Sequence, residues 1–408
     1  MKRPLGVESL TVSIQGIGAF SAAGTFGNAV FAALSTVALP LLLVAKGAEK
    51  VFIAEFFVVS ALGGAVLNLT VGRWLIRRSF LRSGVALSAV AAAAGMGAVV
   101  ALPLAQPLVL AGVAVLANSL NYALLLAASE AHDNRRVAAL RALFVFGYLV
   151  GLGMFAAISL FGGARAAGIG ALALSLGNCA LSALPGVTVR ANDSAGRGHA
   201  AQARSVAGRA RWPSAQGVRL ALAASFAAVL LLRGADSLRQ VYLPLYATAV
   251  GMSAPLIASL FAVTAVCEMA VLIPLGRMGD RIGSRRSLLI VAGVGTMSFL
   301  LVWIFSGYLS LAISQALYAI FAAGFQSIGV VLVGEVVRSG LTGGAATYMA
   351  LTQVGSTVGI LSPLAIPGYS SAVFCLAAVF CLAAALCLLL PHGPAFAAPK
   401  AASPRTAA

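Results

Sequence analysis

Twelve apolar runs follow one another along the chain, separated by short polar breaks: about 20–45, 52–72, 83–103, 107–129, 139–160, 168–189, 220–247, 254–276, 287–307, 309–333, 345–366 and 371–390. Roughly 20 apolar residues cross the hydrocarbon of a bilayer as a helix. The pattern therefore predicts an all-α membrane protein of twelve transmembrane helices. One polar stretch is long. Residues 190–218 are rich in Arg, Ala, Gly and Ser, with Asp193, His199, Trp212 and Pro213, and read as a disordered or surface-lying linker. The Pro- and Ala-rich tail 391–408 reads as unstructured. The chain thus divides into a six-helix half (1–189), a linker (190–218), a second six-helix half (219–390) and a tail (391–408).

The halves repeat at an offset of 204 residues. Val37-Ala38-Leu39-Pro40-Leu41 aligns with Val241-Tyr242-Leu243-Pro244-Leu245, Gly72-Arg73 with Gly276-Arg277, and Ser83 with Ser287. Two halves of six spans each share one orientation. Parallel repeats of this kind, related by an axis along the membrane normal, place a solute site between the halves near the midplane.

Composition agrees with a bilayer. Of 408 residues 61% are hydrophobic and 9% charged, with a mean hydropathy of +1.01. Ala, Gly and Ser fill the runs, and small residues let helices approach closely where the hydrophobic effect no longer drives association. A net charge of +17 would suggest nucleic acid in a soluble protein, but its placement argues otherwise. With the N-terminus inside, 21 of the 27 basic residues fall on the cytoplasmic side. The outer loops carry Lys46, Lys50 and Arg165, and three arginines lie within runs: Arg141, Arg233 and Arg239. This asymmetry predicts both termini in the cytoplasm, a multi-pass protein of the inner (plasma) membrane and the lipid bilayer as its partner, not nucleic acid. The five cysteines all lie inside runs without metal-ligand spacing, so neither a disulfide framework nor a metal site is expected. There is no P-loop or Gly-rich phosphate cradle, which argues against ATP hydrolysis, and no cofactor is expected. His132, His199 and His392 lie outside the spans, which argues against a nucleophile–base pair and so against an enzyme. The linker is too short and too low in complexity for the output domain of a sensor.

An ionisable group at a helix centre costs several kcal/mol on insertion scales, so each is a candidate for function. Arg233, Asp236 and Gln240 follow i, i+3, i+7 on one face of the seventh span, with Ser237 and Arg239 beside them. Either Asp236 merely neutralises Arg233 or Arg239 on its own helix, or the face lines a cavity and its charges bind solute. Glu268, between Cys267 and Met269 in the middle of the eighth span, is expected among apolar neighbours. There a carboxylate takes up a proton more readily, which suits proton coupling; a structural Glu hydrogen-bonded to another helix is the alternative. Glu55, about one turn from the outer end of the second span, is expected to snorkel to water. Arg141, just inside the fifth span with Tyr148 two turns above, is expected to pair with Glu130 or Asp133, as a gate or as a structural ion pair.

Uncharged polar residues form further stripes: Asn28 and Ser35 with Thr25 nearby, then Asn118, Asn121 and Tyr122, then Gln315, Tyr318 and Gln326, and Gln353, Ser356 and Thr357. Beside the aromatics Tyr122, Tyr242 and Phe325, amides and hydroxyls suit a polyol, whose hydroxyl pairs the amides bond and whose C–H faces stack on rings. The competing account is polar glue between helices, about 0.6 kcal/mol per bond.

Between the eighth and ninth runs lies Gly276-Arg277-Met278-Gly279-Asp280-Arg281-Ile282-Gly283-Ser284-Arg285-Arg286, expected as a short basic loop on the cytoplasmic side. It resembles the signature loop of the major facilitator superfamily. The first-half copy, Gly72-Arg73-Trp74-Leu75-Ile76-Arg77-Arg78, has no Asp. A narrower resemblance is to the sugar efflux transporter family, carried by Arg233-Gly234-Ala235-Asp236-Ser237-Leu238, Tyr242-Leu243-Pro244-Leu245, Glu268, Leu140-Arg141-Ala142 and Gly343-Gly344-Ala345-Ala346-Thr347-Tyr348. The superfamily resemblance implies two parallel six-helix halves, with the first, fourth, seventh and tenth spans lining a central cavity where four of these stripes converge. The narrower one implies antiport: export of sugars or glycosides linked to protons.

These readings give a set of expectations. Solute binding is expected at Asn28, Asn118, Asn121, Tyr122, Arg233, Asp236, Gln240, Gln315 and Gln326, and proton coupling at Glu268 and Asp236. Gating is expected at Asp280, Arg281, Arg285 and Arg141. Asp280 is expected to face the positive N-terminal end of the eleventh span near Gly343 and Gly344, a latch the first half lacks. Glu130 and Glu335 are offered as loop acids for Arg73 to Arg78 and Arg281 to Arg286, or as solvated charges. A drug or secondary-metabolite exporter on the same scaffold is the alternative, left open by 20 Phe and 8 Met.

Overall fold

The structure is a computed structural model that describes residues 19–67, 70–71, 74–75, 80–116, 134–183, 215–337 and 340–390. In lipid every backbone polar group must be satisfied within the segment, so apolar runs of this length form helices. The main helices are α1 (Ala19–Ala45), α2 (Lys50–Leu67), α3 (Leu81–Ala101), α4 (Pro107–Leu116) and a helical stretch Asn134–Ala183, broken at Gly163. Gly163 takes φ 61°, and the chain doubles back there to give α5 (134–162) and α6 (164–183). The second group is α7 (Ala215–Ala249), α8 (Ala254–Ile282), α9 (Ser284–Ile304), α10 (Tyr308–Val337), α11 (Gly340–Leu361) and α12 (Ala372–Leu389), with a 3₁₀ turn at Ser362–Ala365. Among the described residues nine helical segments are long and apolar enough to cross a membrane. Leu160, Leu309, Leu110 and Ile273 stand on their outer surface at 63–72% exposure, as lipid-facing side chains do.

Two of the expectations change here. The basic segment 276–286 is not a loop: α8 runs on to Ile282, α9 starts at Ser284, and only Gly283, at φ 87°, separates them. Charged residues extend a helix past its apolar core, so the end of hydrophobicity is not the end of the helix. Likewise α7 begins at Ala215, inside the stretch expected as linker. The rest of that stretch, 190–214, and the tail beyond Leu390 lie outside the described residues.

Helices α1–α6 pack on one another, α7–α12 on one another, and the pairs α2–α11, α5–α8 and α1–α7 join the two groups. The internal duplication is visible in one contact. In the first group, a Cβ added at Gly147 or Gly151 of α5 would lie 2.7 Å or 2.6 Å from the Phe26 or Val30 carbonyl oxygen of α1. In the second, one added at Gly355 or Gly359 of α11 would lie 2.4 Å or 2.0 Å from the Leu230 or Gly234 carbonyl oxygen of α7. Both are Gly-x-x-x-Gly pairs that bring two backbones into contact. The carbonyls repeat at 204 residues and the glycines at 208. Pro40 inside α1 and Pro244 inside α7 mark the same correspondence.

Candidate functional site

Two adjoining cavities lie between the helix groups. The first, about 200 Å³, is enclosed by α1, α2 and α4 on one side and α7 and α11 on the other; Ser35, Ser60, Arg233, Gln240, Gln353 and Ser356 supply its polar wall. The second, about 270 Å³, lies between α1 and α5 and the helices α7, α8 and α10, with Arg141, Arg239 and Glu268 in its wall beside Tyr148, Phe261 and Tyr318. Thr36 and Gln240 belong to both.

Three arginines organise this region. Arg233 ion-pairs with Asp236 one turn above it on α7 and donates to Ser356 of α11 at 2.8 Å. Asp236 is fully buried and receives two further donors, the Tyr318 hydroxyl from α10 and the Gln240 amide at 3.1 Å. A carboxylate with three donors is compensated for leaving water. The neutralising pair on one helix, Asp236 with Arg233, is therefore present, and it also ties α7 to α10 and α11. Arg239 turns elsewhere: its Nε donates to Gln315 Oε1 at 3.0 Å and its Nη2 to Thr264 Oγ1 at 3.0 Å. Its guanidinium lies 4.3 Å from the Phe261 ring centroid and 4.0 Å from that of Tyr318, within cation–π range of both.

Arg141 crosses between the halves. From α5 it donates to Glu268 Oε1 on α8 at 2.5 Å and to the Gln326 side-chain carbonyl on α10. The sequence offers Glu130 or Asp133 as its partner; both lie outside the described residues, and the carboxylate that meets it comes from the other half. Glu268, expected among apolar neighbours, instead pairs with Arg141 and faces the second cavity, whose wall mixes polar side chains with Phe144, Phe261, Ala265 and Ala322.

At the face predicted to be outer, the Lys50 ammonium at the start of α2 reaches the turn between α11 and α12. It donates to the carbonyl oxygens of Pro363, Ile366 and Gly368 at 2.7, 2.5 and 2.8 Å. The Tyr242 and Tyr369 rings lie 5.6 and 5.9 Å away. Three backbone carbonyls and two aromatic rings of the second half thus surround one lysine of the first.

Other expected residues fall in varied places. Asn118, Asn121 and Tyr122 lie outside the described residues. Gln326 and Gln240 line a cavity, whereas Gln315 is buried behind Arg239. Asn28 is buried, lines neither cavity, and its Oδ1 has no partner among the described residues. Tyr242 and Phe325, expected as stacking rings, instead pack between helices: the Tyr242 hydroxyl donates to the Ile360 carbonyl at 2.9 Å, and Phe325 stacks on Phe321. The Thr357 hydroxyl turns to the Gln353 carbonyl of its own helix at 3.1 Å. Asp280 and Arg281 are exposed, and among the described residues Asp280 has no ion-pair partner. Arg285 donates to the Leu390 carbonyl at the end of α12. Glu335 accepts from the Ser284 hydroxyl in place of Arg281 or Arg286. Glu55 is exposed.

Four residues were not singled out by sequence: Lys50, Thr36, Thr264 and Ser60. Thr264 lies one turn before Glu268 on the same face, a spacing that could have revealed it. Ser60 is fully buried in the first cavity's wall, and its hydroxyl has no partner among the described residues.

Comparison with known proteins bears on this arrangement. Residues 225–407 match the Major Facilitator Superfamily. No curated protein matches the sequence. The fold is similar to that of the nucleoside transporter NupG, with a TM-score of 0.68 at 15% identity over 90% of this chain and 97% of that one. It is similar also to a mutant of the peptide transporter POT in complex with sulfate, with a TM-score of 0.65 at 13% identity over 91% and 93%. The second half of the chain thus matches the superfamily's sequence pattern, and the fold over 90% of the chain is similar to that of solved multi-helix transporters.

Proposed function

We propose that this chain is a secondary active transporter of the inner membrane that exports a small polyhydroxylated solute, a sugar or glycoside, in exchange for protons. The observation that carries this reading is the Arg141–Glu268 pair. A single carboxylate lines the cavity and also binds the two halves together through Arg141 at 2.5 Å. Protonating Glu268 removes the charge that holds Arg141, so proton uptake and separation of the halves are one event. Solute hydroxyls then meet a wall of hydroxyl and amide groups in the first cavity: Ser35, Ser60, Gln240, Gln353 and Ser356. Alternating access follows from the straps at two depths. Lys50 closes the predicted outer face and Arg141 bridges the halves nearer the other, so each opens as the halves rock about the cavities.

A second reading is a transporter of ring-bearing solutes such as nucleosides or drugs. The aromatic wall of the second cavity favours it, with Phe144, Tyr148, Phe261 and Tyr318 around the arginines. One experiment separates the two. Liposomes holding a pH dye and the reconstituted protein receive glycosides, nucleosides or cationic drugs. The proposed function expects proton movement with glycosides; movement with nucleosides or drugs alone assigns the second reading, and none with any solute removes proton coupling.

A further inference from the structure

The cavity walls hold three arginines and one carboxylate, Glu268, with a second carboxylate, Asp236, fully buried beside them. Arg233 pairs with Asp236 and Arg141 with Glu268. Arg239 is left over. It is 4% exposed, and among the described residues no carboxylate lies within 4.0 Å of it; its bonds go to Gln315 and Thr264, both neutral. A buried cation without a counter-charge is unfavourable in a membrane interior. Two things hold the guanidinium in place. The Phe261 and Tyr318 rings flank it at 4.3 and 4.0 Å, and the Gln315 side-chain carbonyl accepts from its Nε at 3.0 Å and also from its Nη2. Its Nη1, with two N–H groups, has no acceptor among the described residues, and Arg239 lines the second cavity. A guanidinium clamped on one edge and free on the other, facing a cavity, is built to receive an anion.

We infer that the solute is a hydroxylated monoanion, whose carboxylate or phosphate binds Arg239 in the second cavity while its hydroxyls reach toward Gln240 and the first. Gln240 belongs to both walls and so stands where the charged and hydroxylated ends of one molecule would meet. One bound negative charge neutralises the one uncompensated positive charge. This inference rests on the polyol reading above and narrows it: a neutral sugar would leave Arg239 unsatisfied.

The test measures binding of three radiolabelled probes to the full-length protein in proteoliposomes. Glucuronate has a carboxylate and hydroxyls, methyl glucoside hydroxyls only, and benzoate a carboxylate only. The expected result is that wild type binds glucuronate about tenfold or more tighter than methyl glucoside, as one charge-assisted hydrogen-bonded pair provides. Arg239→Gln should erase that preference while keeping methyl glucoside binding, and Arg239→Lys should keep part of it. The wild-type comparison decides even if Arg239→Gln fails to fold. Methyl glucoside bound as tightly as glucuronate, or an unchanged preference in Arg239→Gln, overturns the inference and leaves the polyol reading standing. Benzoate bound as well as glucuronate, with no methyl glucoside binding, supports the charge and overturns the polyol. Binding of none of the three removes both.

Discussion

Replacing Lys50 with Met removes the charge that ties the first half to the 362–368 turn while keeping most of the side-chain volume. Three N–H···O bonds of 2.7, 2.5 and 2.8 Å are lost. A bond from a charged donor contributes about 1.5–3 kcal/mol when buried. Lys50 is only half-buried, water replaces part of each bond, and the discount for an exposed charge leaves about 1–2 kcal/mol for the strap as a whole. That corresponds to roughly a 5- to 30-fold rise in the ratio of open to closed conformers at the predicted outer face. The assay is a distance distribution between spin labels at Glu49 and Ser370, both exposed, with the five native cysteines replaced. Lys50→Met should enlarge the long-distance population by that factor, and Lys50→Arg, which keeps the donors, should restore most of the closed form. An unchanged distribution in Lys50→Met would refute the strap, because three bonds across the halves would then have no bearing on their separation.

Two further predictions follow from packing and charge. Gly359→Leu should force α7 and α11 apart, since even a Cβ there meets the Gly234 carbonyl oxygen at 2.0 Å, with a cost at the upper end of the about 1–3 kcal/mol of overpacking; Gly293→Leu, with nothing within 4 Å of its Cβ, is the control, and thermal unfolding in detergent separates them. Asp236→Asn should lower stability by about 3 kcal/mol, because Arg233 loses its counter-charge. Pairing it with Arg233→Gln should recover part of that loss in the same unfolding assay, and a double mutant less stable than either single one would contradict the ion-pair account.

The hydrophobic pattern made the helices legible, and the charges inside them marked the site. Arg141, Arg233, Asp236, Arg239 and Glu268 stand out because a bilayer tolerates so few ions, and all five meet at or beside the two cavities. Partners were not legible. Arg141 finds Glu268 at a separation of 127 residues, and Lys50 finds carbonyls more than 300 residues away. Backbone acceptors carry no side-chain signal, so Lys50 read only as a marker of topology. The paired glycines escaped for another reason: the carbonyls repeat at 204 residues and the glycines at 208, so a single offset does not align both. Tyr242 misled because it is six residues beyond Asp236, about 240° around the helix, so its hydroxyl meets the Ile360 carbonyl and its ring lines neither cavity. Gly276–Arg286 misled because polarity was read as loop, although a helix end in water keeps its hydrogen bonds as readily as one in lipid.

The central claim is that Glu268 links proton uptake to movement of the halves. The most direct measurement imposes a pH gradient on proteoliposomes and follows accumulation of labelled solute by wild type and Glu268→Gln. The account predicts that wild type concentrates solute against its own gradient, whereas Glu268→Gln carries it only to equilibrium. Equal accumulation by both would contradict it and place the coupling on another group.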